Sequence, residues 1–378
     1  MSAVDTDVVV IGGGAMGSAA AWQLAARGRE VTLLERFEPG HRHGASHGAS
    51  RNFNVAYAEP AHVAMLVESH LAWRELEAET GVPVLDQVGL VNHGGDGAID
   101  DEVHAALASV GVPGEFLPAE EARRRWPGIR FETRVLHLPT AGRLHADAAV
   151  RALQQAAVAR GANVRHRTPV RGIRVEGPDR VRIETDADTI TARRVVVTVG
   201  GWTAKLLGGL VPLPPLVVTQ EQPAHFALRA ASAAGEDAAA WPGFNHRPGP
   251  GDDWWYSGVY GMLTPGEGVK AGWHGVGPIV DADLRDYAPE PVQFAALRRY
   301  AREWLPGVDS EVATPISCTY TTTPDQVFVL DSAGPITVGA GFSGHGFKFT
   351  PAVGRILADL VDDRPAPGVF SLRRFAAA

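Results

Sequence analysis

Cysteine is almost absent from this chain: Cys318 is the only one in 378 residues. A lone thiol excludes an internal disulfide and fits a reducing compartment, so the cytoplasm is the expected location. No run of ~18 apolar residues occurs, and no membrane-spanning helix is expected. Positive charge is in deficit, with 35 Lys and Arg against 43 Asp and Glu and a net charge of −8. Nucleic-acid binding needs a basic stripe, and this balance argues against it. The N-terminus shows no basic stretch ahead of an apolar one, so no secretory leader is expected. No internal repeat is apparent.

What is present starts at residue 7. Residues 7–11 form a short valine-rich run that reads as a buried strand. Gly12, Gly14 and Gly17 then spell G-x-G-x-x-G, and a helix-forming stretch at 19–26 follows. Gly28 ends that helix, and a second strand at 30–34 runs into Glu35. In this order each residue has a physical task. Gly12 permits a tight turn, Gly14 lets the backbone approach a pyrophosphate, and Gly17 allows close helix–strand packing. The helix N-terminus offers free N–H groups to phosphate. Glu35, 21 residues after Gly14, stands where an acid takes ribose hydroxyls. The stretch predicts a dinucleotide site.

Further along, helices are expected at 62–79, 99–110, 119–125, 145–161, 291–305 and 353–361. Strands are expected at 84–92, 163–174, 181–185, 189–199, 254–262 and 269–274. After Pro212, Pro214 and Pro215 an extended run reaches Leu228, a polar Ala-rich segment covers 229–240, and 241–253 reads as a loop by composition. The nucleotide-binding region is visited three times: residues 1–82, 145–211 and 316–378 form an expected FAD-binding domain. Residues 83–144 and 212–315 form an expected substrate domain. Such interleaving suits FAD, which lies extended and is touched by distant segments. The expected fold class is therefore α/β and α+β, a Rossmann-like FAD-binding domain interleaved with an antiparallel-sheet substrate domain.

Several residues stand out. Lys348, in the glycine-rich stretch 339–357, suits either a flavin edge or a substrate carboxylate, or is simply a solvated loop lysine. Cys318 alone reads as a small buried hydrophobe. His41, His43 and His47 resemble a metal tract, but no Cys or acid cluster joins them, and no metal is expected.

Five motifs carry a resemblance over nearly the whole length. The N-terminal fingerprint, HGASHGASR at 43–51, GVKAGWH at 268–274, SCTYTTTPDQVFVLD at 317–331 and GFSGHGFKF at 341–349 are similar to the monomeric sarcosine oxidase and N-methyltryptophan oxidase family. That family sits within the D-amino acid oxidase-like flavoproteins. The resemblance implies FAD bonded covalently through Cys318. It implies cofactor contacts from Gly12, Gly14, Ala15, Met16, Gly17, Glu35, Arg36, Ser46, His47 and Arg51. The same set continues through Val170, Gly200, Trp202, Cys318, Gly344, Gly346, Phe347 and Lys348. It implies catalytic roles for Lys270, which promotes reaction with oxygen, and for Arg51 over the flavin ring. His274, Tyr260 and Lys348 complete the implied pocket, although His274 and Tyr260 also read as ordinary packing residues.

One departure matters. The family has a second basic residue three positions after its loop arginine, where this chain has Asn54. Trp254, Trp255 and Trp273 suggest a larger or more apolar substrate than sarcosine, or else plain core packing. The implied activity is oxidation of a secondary amine, an N-methyl amino acid, to an imine that hydrolyses, with O2 reduced to hydrogen peroxide. Alternatives are a sugar-linked amine, a cyclic imino acid or a specialised metabolite, or an FAD dehydrogenase with another electron acceptor. The expected partners are the small-molecule amine and O2, in a monomer or small homo-oligomer.

Overall fold

Valine-rich runs flanked by glycine build the first sheet. The computed structural model describes residues 4–229 and 241–375, so the segment expected at 229–240 lies, apart from Arg229, outside the described residues. Thr6–Ile11 pairs in parallel with Val31–Leu34 on one side and Thr189–Val197 on the other, and Ile336–Ala340 extends the parallel run. Asn163–Arg165 adds a further parallel strand beyond Val31–Leu34. The interior strand is covered on both faces, which explains its continuous apolar run in place of alternation. Val170–Gly177 and Arg180–Thr185 append an antiparallel ribbon.

Helix Ala15–Ala26 lies on this sheet between Ala146–Ala159 and Thr350–Val361. Small residues permit that approach: a Cβ on Gly354 would sit 2.6 Å from the Ala19 backbone. Long helix Pro60–Thr80 opens with proline in its first turn, is capped by Glu59, which accepts from the His62 amide at 2.9 Å, and stops at left-handed Gly81.

The second sheet has eight strands in the order Val308–Pro315, Ala224–Leu228, Gly268–Trp273, Val259–Thr264, Gly243–Arg247, Leu90–Gly94, Val135–Leu138 and Glu115–Leu117. All neighbours are antiparallel except Gly243–Arg247 with Leu90–Gly94. Helix Pro291–Trp304 buries Leu297, Tyr300 and Ala301 against it. Two small sheets connect these layers: Val217–Glu221 with Cys318–Thr322, and Arg51–Phe53 with Gly142–Leu144 and Leu85–Asp86.

Four expectations need correction. The loop expected at 241–253 contains the strand Gly243–Arg247, well inside the second sheet. Its Gly, Asn and His content reads as a turn, yet Gly243 is there for space, because a Cβ would meet Asn52 Oδ1 at 2.7 Å. The strand expected at 254–262 begins only at Val259, since Trp254 and Trp255 turn into an aromatic cluster. The strand expected at 84–92 is two short strands in different sheets, broken at Gly89 with φ 76°. Residues 163–174 are likewise split near Arg167, which has φ 53°.

Candidate active site

Two adjoining cavities occupy the face where the sheets meet. The first is a channel of ≈ 590 Å³ along the glycine fingerprint, and the second is a chamber of ≈ 1100 Å³ against the second sheet. They share walls at His47, Arg51, Cys318, Tyr320, Gly344 and Phe347.

Channel geometry follows from the fingerprint. Gly12 has φ 101°, and a Cβ there would lie 2.6 Å from the Thr198 carbonyl oxygen, so only glycine suits this turn. Glu35 is buried and ties the loop together, accepting from the Gly13 amide at 2.7 Å and the Phe37 amide at 2.9 Å. Ser46 Oγ accepts from the Ala15 amide at 2.9 Å, which closes the next loop over the helix start. Arg36, Lys205 and Trp202 converge on Asp283, at 2.7, 2.7 and 2.8 Å, and all four line the channel. This cluster ties the second sheet's loop to the channel rim.

Gly12, Gly14, Ala15, Met16, Glu35, Arg36, Ser46, His47, Arg51, Val170, Gly200, Trp202, Cys318, Gly344, Gly346 and Phe347 all line the channel. Two residues of the expected cofactor set do not. Gly17 lies beneath the loop, where a Cβ would stand 1.9 Å from the Gly12 carbonyl oxygen, so its task is packing. Lys348 faces only the larger chamber. Gly344 has φ 79°, and a Cβ there would sit 2.1 Å from the Tyr320 ring. A channel lined by the glycine fingerprint, by the start of helix Ala15–Ala26 and by the buried acid Glu35 fits a dinucleotide such as FAD. The residues present fit the group.

The chamber is set by strand pleating. Val269, Ala271 and Trp273 enter the apolar core, so Lys270 points the other way and meets the chamber. Its cross-strand neighbours His225 and Met262 line the same wall. Tyr260 and Asn245 pair in register and line the next row, and His274 joins the wall just past the strand end. His274 Nδ1 lies 3.2 Å from the Tyr320 hydroxyl.

Two buried lysines face this one chamber. Lys270 is 3 % exposed and Lys348 5 %, and neither forms an ion pair with a described residue. Lys270 Nζ donates to the Ser50 carbonyl at 2.8 Å. Burial first, and the Arg51 guanidinium second, bring its pKa down to about 7, while Cys318 and Glu267 oppose the shift. Burial alone brings Lys348 down to about 7. Burial first, and then the charges of Arg51 and Lys270 (with Arg285 for His47), brings His47 down to about 3 and His225 to about 4. Arg51 braces the loop through the Ser50, Ala45 and His47 carbonyls at 2.8, 2.9 and 2.6 Å, and its Nη2 lies 3.8 Å from Cys318 Sγ.

Asn54 lines the chamber, and its Oδ1 accepts from the Ala56 amide at 2.8 Å. A backbone N–H must meet the oxygen, so the amide NH2 is the end left for a ligand. Trp254, Trp255 and Trp273 do not line the chamber. They pack with Tyr300 and one another, Trp255 lying 5.1 Å from Tyr300, so the larger-pocket expectation drawn from them is withdrawn. His41 and His43 stack on one another and lie tilted against Phe37, and among the described residues no group of three His, Cys, Asp or Glu side chains could hold a metal ion. No helix among the described residues is long and apolar enough to cross a membrane.

Sequence reasoning missed Tyr57, His345, Tyr320 and His225, all on the chamber wall. Tyr57 is six residues after Arg51 and His345 three before Lys348, but nothing in either spacing marks a contact.

A family profile described as FAD dependent oxidoreductase matches residues 7–360. The chain belongs to that family. It is 33% identical over 368 residues to monomeric sarcosine oxidase from Bacillus sp. (strain B-0618), covering 94% of this chain and 91% of that one. It is 29% identical over 387 residues to N-methyl-L-tryptophan oxidase from Yersinia pestis (strain Pestoides F), covering 98% and 100%. Among solved structures, the open form of NikD, an unusual amino acid oxidase essential for nikkomycin biosynthesis, superposes with a TM-score of 0.84 at 27% identity, covering 97% of each chain. This chain is thus an FAD-dependent oxidoreductase with the mixed α/β fold of its relatives.

Proposed function

We propose that this FAD dependent oxidoreductase oxidises the C–N bond of a secondary amine, an N-methyl amino acid, to an imine that hydrolyses, and reduces O2 to hydrogen peroxide. The observation that carries the reading is the pair of buried lysines, without an ion pair among the described residues, facing one chamber beside the nucleotide channel. When bound, FAD supplies a two-electron acceptor at ring nitrogen N5 whose reduced form O2 can reoxidise.

The chain's own residues do the rest. Residues 1–82, 145–211 and 316–378 form the FAD-binding domain and 83–144 and 212–315 the substrate domain, and the chamber wall draws on both, with Asn54 and Lys348 from the first and Tyr260, Lys270 and His274 from the second. Lys348 takes the substrate carboxylate, with Asn54 offering a neutral donor in place of a second cation. Lys270 stabilises negative charge that develops on dioxygen, which in this low-dielectric spot counts for more than in water. Tyr260 and His274 shape the wall on which the amine lies. Cys318, beside Arg51 and open to both cavities, forms the covalent tie to the cofactor. The enzyme works in the cytoplasm as a monomer or small homo-oligomer.

The test is stoichiometric. Enzyme supplied with N-methyl amino acids in aerated buffer should consume O2 and release an equal amount of peroxide. Amine consumption without peroxide would assign another electron acceptor, and no amine consumption would overturn the reading. For the covalent tie, acid precipitation should leave the yellow colour in the wild-type pellet and release it from Cys318→Ala.

A further inference from the structure

An amine can donate hydride only after losing its proton, and among the described residues no Asp or Glu forms an ion pair or a hydrogen bond with Lys348. The groups facing Lys348 are Tyr57 from the loop after Arg51, His62 at the start of helix Pro60–Thr80, His274 at the strand end and His345 of its own loop. The acid beside that set, Glu59, is bound to His62 Nδ1 at 2.7 Å.

Hydrogen bonds lead outward from Lys348. Nζ donates to the Tyr57 hydroxyl at 3.0 Å, and to the His345 carbonyl at 2.7 Å. The Tyr57 hydroxyl lies 3.1 Å from His345 Nδ1, and His345 Nε2 lies 3.1 Å from the Gln326 carbonyl oxygen. Gln326 is exposed and holds φ 60°, in a surface turn. The direction of the chain is fixed from this outer end. A carbonyl only accepts, so His345 Nε2 carries the hydrogen and Nδ1 accepts. Tyr57 must then donate to Nδ1, and its oxygen is left to receive from Lys348. Every link points the same way, from the chamber to the surface.

We propose that Tyr57 and His345 are a proton outlet for Lys348, which takes the proton of the bound substrate's ammonium group. The proposal rests on the amine-oxidising reading. Neutral Lys348 accepts the proton and becomes an ammonium paired with the substrate carboxylate. That proton then passes to the Tyr57 oxygen as the tyrosine's own hydrogen moves to His345 Nδ1 and the Nε2 hydrogen leaves to water; exchange with water then returns the ring from its Nδ1–H to its Nε2–H tautomer and resets the chain. No electrons move, and one proton enters and one leaves. Tyr57 and His345 are positioning residues that act through Lys348. Its pKa of about 7 makes the neutral form available at neutral pH.

The test uses holoenzyme and two variants. Tyr57→Phe removes the middle link, whereas His345→Gln keeps a donor for Gln326 and an acceptor for Tyr57 but cannot ionise. Anaerobic flavin reduction by an N-methyl amino acid should fall about tenfold or more in both variants near neutral pH. It should return to the wild-type rate above about pH 10, where alkyl amines arrive unprotonated. A loss equal at all pH values, or none, overturns the outlet. A second readout needs no amine oxidation: binding of methylthioacetate, whose sulfur replaces the amine nitrogen, followed with a pH indicator in weak buffer. With the His345 ring in its Nδ1–H tautomer the same links run inward, so wild type should take up protons as fast as it binds, and His345→Gln about tenfold more slowly. Absence of uptake, or equal rates, overturns the proposal even if amines prove not to be substrates, an outcome that would sink only the amine-oxidising reading.

Discussion

The two ends of the chamber hold the same kind of group in opposite settings. Lys270 and Lys348 are both buried, both free of ion pairs with described residues, and both brought down to about 7. Lys270 is closed in. Its Nζ meets the Ser50 carbonyl, and Ser50 and His225 in turn bond to the Thr264 hydroxyl, a neighbourhood bounded by Arg51 and Cys318. Lys348 is connected, through Tyr57 and His345, to a surface turn. Equal pKa values therefore do not imply equal roles. A closed cation suits charge stabilisation on oxygen, whereas a connected one suits exchange of protons with substrate and solvent.

The largest effect should come from Lys270→Met. Reaction of the reduced enzyme with O2 should slow by about 10²–10³, the loss usual for one removed charge-stabilising donor, while anaerobic reduction by amine changes little. Stopped-flow measurement of the two half-reactions checks this, and slowing of both would erase the distinction between the two ends. Lys348→Met should act on the other half. Losing a charge-assisted hydrogen bond worth about 1.5–3 kcal/mol should weaken binding of an N-methyl amino acid by about 10- to 150-fold, with little effect on the KM of a simple amine lacking a carboxylate, although near neutral pH both lose turnover with the base. Steady-state KM values for the two substrates decide it. Asn54→Arg should tighten small amino acids by about tenfold, since it restores a second cation for the carboxylate. Tighter binding of the amine lacking a carboxylate instead would show that Asn54 does not face that group.

The last effect falls on stability and not on turnover. A lysine whose folded pKa is depressed leaves the unfolded state binding more protons between about 7 and the ordinary value of 10.5. The cost of burying it is fully present below about pH 7 and disappears as pH rises through that window. Lys270→Met should therefore be more stable than wild type by about 1–4 kcal/mol near pH 6, with the gain shrinking toward pH 10. Denaturant unfolding at the two pH values measures it.

Legibility divides along chain distance. The nucleotide channel's central motif is contiguous, so Gly12, Gly14 and Glu35 could be given tasks from spacing alone, and each stands on the channel wall. Gly17, assigned to helix–strand packing on the same logic, sits under the loop. The chamber is built from separated segments. Tyr57 meets Lys348 across 291 residues, and no local pattern announces such a contact. Strand Gly243–Arg247 was hidden for the same reason. Its composition is that of a turn, and its order comes from pairing with Leu90–Gly94 and Val259–Thr264. The tryptophans misled because apolar bulk next to a pocket in sequence says nothing about which strand face carries it, and pleating sent Trp273 to the core side and Lys270 to the chamber.

The most direct test of the account is a two-step optical measurement on the purified yellow holoenzyme. An N-methyl amino acid is mixed in without oxygen, and then oxygen is admitted. The account predicts that the oxidised-flavin band bleaches in the first step and returns in the second, with one peroxide formed per amine oxidised. A band that no amine bleaches, or one that bleaches and stays bleached in oxygen, would contradict it.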